Sequence, residues 1–246
     1  MYDEHRKFLQ SLVTVWKKRV VNGDYSGIKT PQFESYGSKF INCRFDSMQI
    51  GCAVFASGML PSTYINCTFD GIRIKRVLGG LVRFRNCTFK DVTISGWSLR
   101  ACDLVNCVFT GKMKSGRYGG SFWGAPLPFD SEYRKKKKNR FRGNDFSNCA
   151  LIGMDFRRGV DLRLQKLPSG SDYLYVEDGR RAVDNALKIL ETWEDEKQRK
   201  SAQIVLELLH KKIDDGQKQI FISNVSGGKV QGPIWSQLCE ILSVKE

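Results

Sequence analysis

The chain repeats one phrase in register: an aromatic residue, any residue, Asn, Cys, any residue, Phe. It reads Phe40-Ile41-Asn42-Cys43-Arg44-Phe45, then Tyr64-Ile65-Asn66-Cys67-Thr68-Phe69, then Phe84-Arg85-Asn86-Cys87-Thr88-Phe89. A fourth copy, Leu104-Val105-Asn106-Cys107-Val108-Phe109, opens on Leu. The last three copies are spaced by 20 residues, and the first precedes the second by 24. A finer period of five runs through them, with large apolar residues at Phe40, Phe45, Ile50 and Phe55, then from Phe84 through Phe89, Ile94, Leu99 and Leu104 to Phe109, and again at Phe141, Phe146, Leu151 and Phe156. Two residues before most of these stands a smaller or apolar residue, such as Cys43, Met48, Ala53, Cys67, Ile72, Cys87, Val92, Cys102, Cys107, Cys149 or Met154. Self-similarity at a fixed period decides architecture before local propensity is consulted, and here it specifies a repeat solenoid.

Neither the helical period of 3.6 nor the strand period of 2 fits a beat of five. A chain that turns a corner every five residues sends one large and one small side chain inward per side, and four sides make a coil of 20. Cys102-Asp103-Leu104 and Met154-Asp155-Phe156 follow the order small, Asp or Asn, then Leu or Phe. In these residues the chain resembles the pentapeptide-repeat family across roughly residues 31–167. The resemblance implies a mainly β fold: a right-handed, four-sided β-helix solenoid whose two inward ladders fill its interior. The chain departs from the family pattern by using Cys and Phe where Ala and Leu are commoner. Its register slips between Gly58 and Pro61 and again at Gly159, after which Leu162 resumes it.

An open solenoid end exposes strand edges and apolar interior, so repeat proteins need caps. Residues 1–30 are read as an N-terminal helical cap, because Phe8, Leu12, Trp16 and Val20 recur at i+4 beside Leu9 and Val13, with Gly23 as the stop. Residues 168–246 are read as a mostly helical cap or partner-binding module. Ala182 to Trp193 and Ala202 to Ile213 (with Val205, Leu208 and Leu209) mark two helices, Gln219 to Ser223 a short strand, and Pro233 the start of a last helix through Leu242.

Six of the eight cysteines occupy the small inward position, where a thiol acts as a small hydrophobe; Cys52 and Cys239 do not. Stacked coils would place successive thiols about 4.8 Å apart. The absence of any Cys-x-x-Cys pair, with only His5 and His210 to assist, argues against a metal site. Asn66-Cys67-Thr68 and Asn86-Cys87-Thr88 match the glycosylation pattern but are read as repeat register. No apolar run approaches the roughly 20 residues that span a bilayer, and no secretory leader is read at the start. The expectation is a cytoplasmic chain.

The net charge of +14 is unevenly spread. Residues 113–142 hold nine Lys or Arg (Lys114, Arg117, Arg134, Lys135, Lys136, Lys137, Lys138, Arg140, Arg142) against Asp130 and Glu132, a net of +7. From Asp178 onward eleven bases balance eleven acids. The basic stretch interrupts the five-residue beat and carries Tyr118, Phe122 and Trp123 among glycines and prolines, so residues 113–140 are expected to form an inserted loop, which in repeat proteins often marks the binding face. Cations interleaved with rings suit nucleic acid, while a solvated tract or a contact for acidic protein fits the same composition. Arg73, Lys75, Arg76, Arg83 and Arg85 are expected to form a basic wall on consecutive coils.

Catalysis has little support, since no nucleophile is seen beside a tunable base. Gly227-Gly228-Lys229 lacks both the first glycine and the Ser or Thr of a phosphate loop. The best-known pentapeptide-repeat proteins protect DNA gyrase by resembling duplex DNA, and a positive chain has the wrong sign for that role. The expectation is a non-enzymatic binding or adaptor protein with no cofactor. It docks a macromolecular partner, foremost a protein, through the β-helix wall, the basic loop and the C-terminal helices. The alternatives are direct nucleic-acid binding through the loop, or a bacterial effector or immunity-type protein acting through the C-terminal helices.

Overall fold

A computed structural model describes residues 12–56, 60–78, 81–98, 101–121, 138–224 and 233–244. The chain winds into a parallel β-solenoid of about seven turns. One wall is an eight-stranded sheet of β1 (Val13–Trp16), β3 (Lys29–Tyr36), β5 (Gln49–Val54), β7 (Arg73–Leu78), β9 (Thr88–Ser95), β11 (Val108–Lys114), β14 (Asn144–Ile152) and β16 (Gln165–Lys166), in that spatial order. A six-stranded sheet takes the alternate strands β2 (Arg19–Val21), β4 (Lys39–Ile41), β6 (Ser62–Ile65), β8 (Leu81–Arg85), β10 (Ala101–Val105) and β13 (Phe141–Arg142). A short pair, β12 (Arg117–Gly119) with β15 (Asp155–Arg157), continues the winding.

The inward register read from the five-residue beat holds wherever it is described. Phe40, Phe45, Phe55, Phe84, Phe89, Ile94, Leu104, Phe109, Phe146 and Leu151 are all at or below 1 % exposure, in one core with the cysteines of the small ladder. Parallel pairing puts equivalent residues of successive turns directly over one another, and their rings stack. Tyr25, Phe45, Phe69, Phe89, Phe109 and Phe146 form one column with centroid separations of 4.9, 4.8, 4.6, 4.7 and 4.6 Å and interplanar angles of 13° or less. That spacing is the inter-strand distance of a sheet, so each ring meets its neighbour at the pitch the backbone already imposes. Such pairs add about 0.5–1.5 kcal/mol each beyond the area they bury.

The Asn of the repeated phrase turns the corner after the six-stranded sheet. Asn22, Asn42, Asn66, Asn86 and Asn106 all adopt φ between 52° and 54°, a left-handed conformation that Asn tolerates far better than most residues. Their side chains also form a ladder, Asn66 donating to Asn42 at 3.3 Å, Asn86 to Asn66 at 3.2 Å and Asn106 to Asn86 at 3.4 Å. Gly143 ends the ladder at φ 67°, and a Cβ there would fall 2.2 Å from Asn106 Oδ1. The glycosylation-like triplets are therefore corners of the winding.

Two expectations need correction. The N-terminal helix does not exist over its described part: Val13–Trp16 and Arg19–Val21 are strands, paired in parallel with β3 and β4. Val13, Thr14, Val15, Val20 and Val21 are β-branched, and an available sheet edge outweighs an i+4 pattern that an isolated short helix could not sustain. The solenoid thus already includes Val13–Trp16 and Arg19–Val21, ahead of residue 31; Phe8 and Leu9 lie outside the described residues. The inserted loop is also shorter than 113–140. β11 runs to Lys114 and β12 to Gly119, while Asn139 donates its backbone N–H to Gly120 O at 2.8 Å and its side chain to Gly119 O at 2.7 Å. The wall therefore closes at both flanks, and residues 122–137 lie outside the described residues.

Side-chain amides satisfy the backbone where the winding ends. Asn144 stands where the cysteine column would continue, accepting from Cys107 N at 3.0 Å and donating to Leu104 O at 2.8 Å. Gln165 donates to Phe141 O at 2.8 Å and accepts from Asn144 Nδ2 at 2.9 Å. Gln217 and Gln219, both buried, accept from Val160 N and Leu162 N at 3.1 and 3.2 Å. These contacts answer an edge that would otherwise present unpaired groups. Beyond them β17 (Tyr173–Val176) pairs antiparallel with β18 (Ile220–Ser223), and Phe221 packs on Phe156 and Tyr173. Helices α1 (Gly179–Leu190), α2 (Glu196–Asp214) and α3 (Pro233–Ser243) enclose a second core. Asp178 and Asp195 cap α1 and α2, accepting from Arg181 N at 3.2 Å and Gln198 N at 3.0 Å. The sequence pattern locates these helices but misses β17, and it assigns Leu208 to the buried face, where it is 57 % exposed.

Phe89→Ala empties a site filled on both sides by stacked rings and is expected to cost about 3–5 kcal/mol. Lys75→Ala, on the outer wall, should stay within about 0.5 kcal/mol. Chemical denaturation of the two variants checks this, and equal midpoints would contradict the inward register.

Candidate binding surface

The two sheets divide the basic wall expected from sequence. Arg73, Lys75 and Arg76 stand on β7 in the eight-stranded sheet, whereas Arg83 and Arg85 stand on β8 in the six-stranded sheet. The split follows from the winding, since residues seven to twelve apart in one 20-residue turn fall on different sides.

Parallel register instead joins Arg83 and Arg85 to the far flank of the insertion. One outward row of the six-stranded sheet reads Arg19, Lys39, Thr63, Arg83, Asp103, with Arg140 next beside Asp103. A second reads Val21, Ile41, Ile65, Arg85, Val105, Arg142. Residues nearly 60 apart in sequence thus come within two coils, about 10 Å. The one acid of these rows, Asp103, is buried; it accepts from Arg140 N at 2.7 Å and lies 3.7 Å from Arg83 Nε. It fixes β13 against the preceding coil and draws on the charge of Arg83. Arg85 and Arg142 have no acidic partner among the described residues.

The acids are used elsewhere. Asp46 accepts from Asp70 N at 3.0 Å and Asp70 from Lys90 N at 2.9 Å, bracing one turn against the next. Asp24 accepts from Ser26, an interaction that lowers its pKa below the usual carboxylate value. These carboxylates lie on the stretch between the two sheets, away from Arg85 and Arg142.

The residues of the expected loop divide three ways. Arg117 is in β12, 3.6 Å from Asp155, which also pairs with Arg157 and, at 2.9 Å, with Lys212 of α2. Tyr118 is a core residue at 2 % exposure, stacked on Phe156 at 5.6 Å, and leaves the binding set; its side chain points inward because β12 continues the wall. Lys138, Arg140 and Arg142 are exposed at the returning flank. Phe122, Trp123, Arg134, Lys135, Lys136 and Lys137 lie outside the described residues, as do His5 and Gly227 to Lys229. His210 sits on the surface of α2, with Asp214 at 3.1 Å and Asp184 at 3.8 Å.

The cysteines are all unpaired thiols, six of them buried. Cys43, Cys67, Cys87 and Cys107 share one column, and each directs its sulfur at a carbonyl two residues back at 3.4–3.5 Å. The neighbouring Cys87 thiol and burial together raise the Cys67 pKa, and burial pushes Cys149 up to about 12. A neutral thiol is a poor nucleophile. No cluster of His, Cys, Asp or Glu suited to a metal occurs among the described residues, and no described helix is long and apolar enough to cross a membrane.

No protein-family model matches the chain, and no curated protein matches its sequence.

Alkylation with N-ethylmaleimide at neutral pH should modify Cys52 and Cys239 in the native protein and the four column thiols only after unfolding. Native labelling of Cys67 and Cys87 at the rate of Cys52 would remove the packed column.

Proposed function

We propose that this chain is a non-enzymatic docking protein that presents the basic face of its six-stranded sheet to a macromolecular partner, a protein with an acidic surface. The observation that carries the reading is the alignment of Arg85 and Arg142 across β10, with Arg83 and Arg140 in the parallel row. Aliphatic Val21, Ile41, Ile65 and Val105 interleave with these cations, and that mixture of apolar and Arg surface is the composition protein interfaces favour. The reading includes the finer description of the winding as right-handed, four-sided coils of the pentapeptide-repeat kind, supported by the five-residue alternation of buried positions. Lys138, exposed two residues before Arg140, adds a further cation to this end of the chain's basic surface. A cytoplasmic location is consistent with unpaired thiols throughout.

The C-terminal helices carry a second reading. Ile204 and Leu208, one turn apart on α2, are 60 % and 57 % exposed, an arrangement suited to a partner docking on the helical module.

The two readings separate in a nuclease-treated pulldown from the native host with three baits: wild type, Arg85→Glu/Arg142→Glu, and Ile204→Ser/Leu208→Ser. The proposal expects one partner to be retained by wild type and the helix variant, weakened by raised salt, and lost from the charge-reversal variant. Retention by the charge-reversal variant with loss from the helix variant would move the site to α2.

A further inference from the structure

We infer that the eight-stranded sheet carries a separate, sequence-independent site for the phosphate backbone of duplex nucleic acid. The site stands on a different wall from the docking face and does not rest on that reading.

The register places the cations in a regular array. Lys29, Arg73 and Lys112 share one outward row, filled between them by Gln49 and Thr93. Lys75 and Lys114 flank Ser95 in the adjacent row. Arg73, Lys75, Lys112 and Lys114 therefore mark the corners of a rectangle about 10 Å along the solenoid axis and about 7 Å along the strands. Thr93 and Ser95 stand midway along its two long edges. All five basic side chains are exposed, and none has an acidic partner among the described residues. The array borders an open depression of about 670 Å³ across β3, β5, β7 and β9. Its floor is low because Gly51 lies there: a Cβ at that position would come within 2.6 Å of Pro31 O.

The chemistry of the lining selects the ligand. Lys, Arg, Ser, Thr and Gln are the side chains that contact phosphate oxygens. A protein interface would need a central apolar or aromatic anchor, but Ile50 and Ile74 beneath the depression are at most 3 % exposed, and Pro31, its exposed apolar residue, stands at the β3 end, two strands from Lys75. A single strand would need rings on which to stack its bases, and the depression is lined by none. Cations with hydroxyls between them, no aromatic ring and no central apolar anchor fit a backbone whose bases stay paired.

The test is fluorescence anisotropy with a labelled 20-base-pair mixed-sequence duplex and the matching single strand, from 50 to 200 mM salt. About five phosphate contacts, one per cation, predict a log–log salt slope near −4.5 for the duplex, a loss of roughly 500-fold across that range. Replacing Arg73, Lys75, Lys112 and Lys114 together by Gln should weaken duplex binding at least 10-fold at 100 mM salt and flatten the slope to about −1. A charge-matched control, Arg19, Lys39, Arg85 and Arg142 to Gln, should bind as wild type does. Equal losses in the two variants would show attraction to net charge and overturn the site, as would absence of wild-type binding at 50 mM salt. Tighter binding of the single strand than of the duplex would overturn the duplex assignment. Far-ultraviolet circular dichroism and melting of both variants confirm that the fold persists, since every substituted side chain points outward.

Discussion

Everything in this structure depends on like side chains stacking on like at the pitch of a parallel sheet. A turn that places Phe over Phe, Asn over Asn and Cys over Cys satisfies backbone pairing, ring stacking and side-chain hydrogen bonding with one register. A slip by one residue would break all three together and send the inward set to solvent. The excursions show how strong that constraint is. Four extra residues separate the second turn from the third, and Leu104 pairs with Phe141 across 37 positions of sequence. In both cases the columns resume, Phe109 still meeting Phe146 at 4.6 Å, and a one-residue shift is taken up within β11 between Phe109 and Gly111.

The same register governs the outer surface. Outward residues form rows as strictly as inward ones, so charge placed at one point of the turn becomes a stripe along the axis. Aspartates are spent on bracing successive turns, and the bases on the two sheets are left with few partners. One wall pairs cations with aliphatic residues, and the other pairs them with hydroxyls and an amide.

The inward set was legible because burial imposes its period directly on residue type; every described position of the five-residue beat is in the core. The first turn was not legible. Its inward positions carry Val15, Val20, Tyr25 and Thr30 in place of the Phe and Cys of later turns, and the i+4 spacing from Phe8 to Val20 imitates a helix. Tyr118 was hidden among Gly and basic residues, where composition outweighed its position after Met113, one beat earlier. The basic stripe was half legible: the residue types announce charge, but which cations share a wall depends on the coil register, and so Arg73 separates from Arg83 while Arg85 meets Arg142. The terminal amides Gln165, Gln217 and Gln219 left no signal, because a buried glutamine is distinguished from a surface one only by the edge it satisfies.

The account holds that stacking between turns, and not the inserted segment, sets the register across it. The direct test replaces residues 122–137 by a short Gly-Ser linker and follows thermal unfolding by near-ultraviolet circular dichroism. The flanks already meet through the hydrogen bond from Asn139 to Gly120 at 2.8 Å, so the closure entropy should change by only about 1 kcal/mol. The predicted result is a single cooperative transition within about 4 °C of wild type, with the aromatic signal retained. Loss of the transition, or unfolding of the turns after Gly120 at a lower temperature than those before it, would contradict the account.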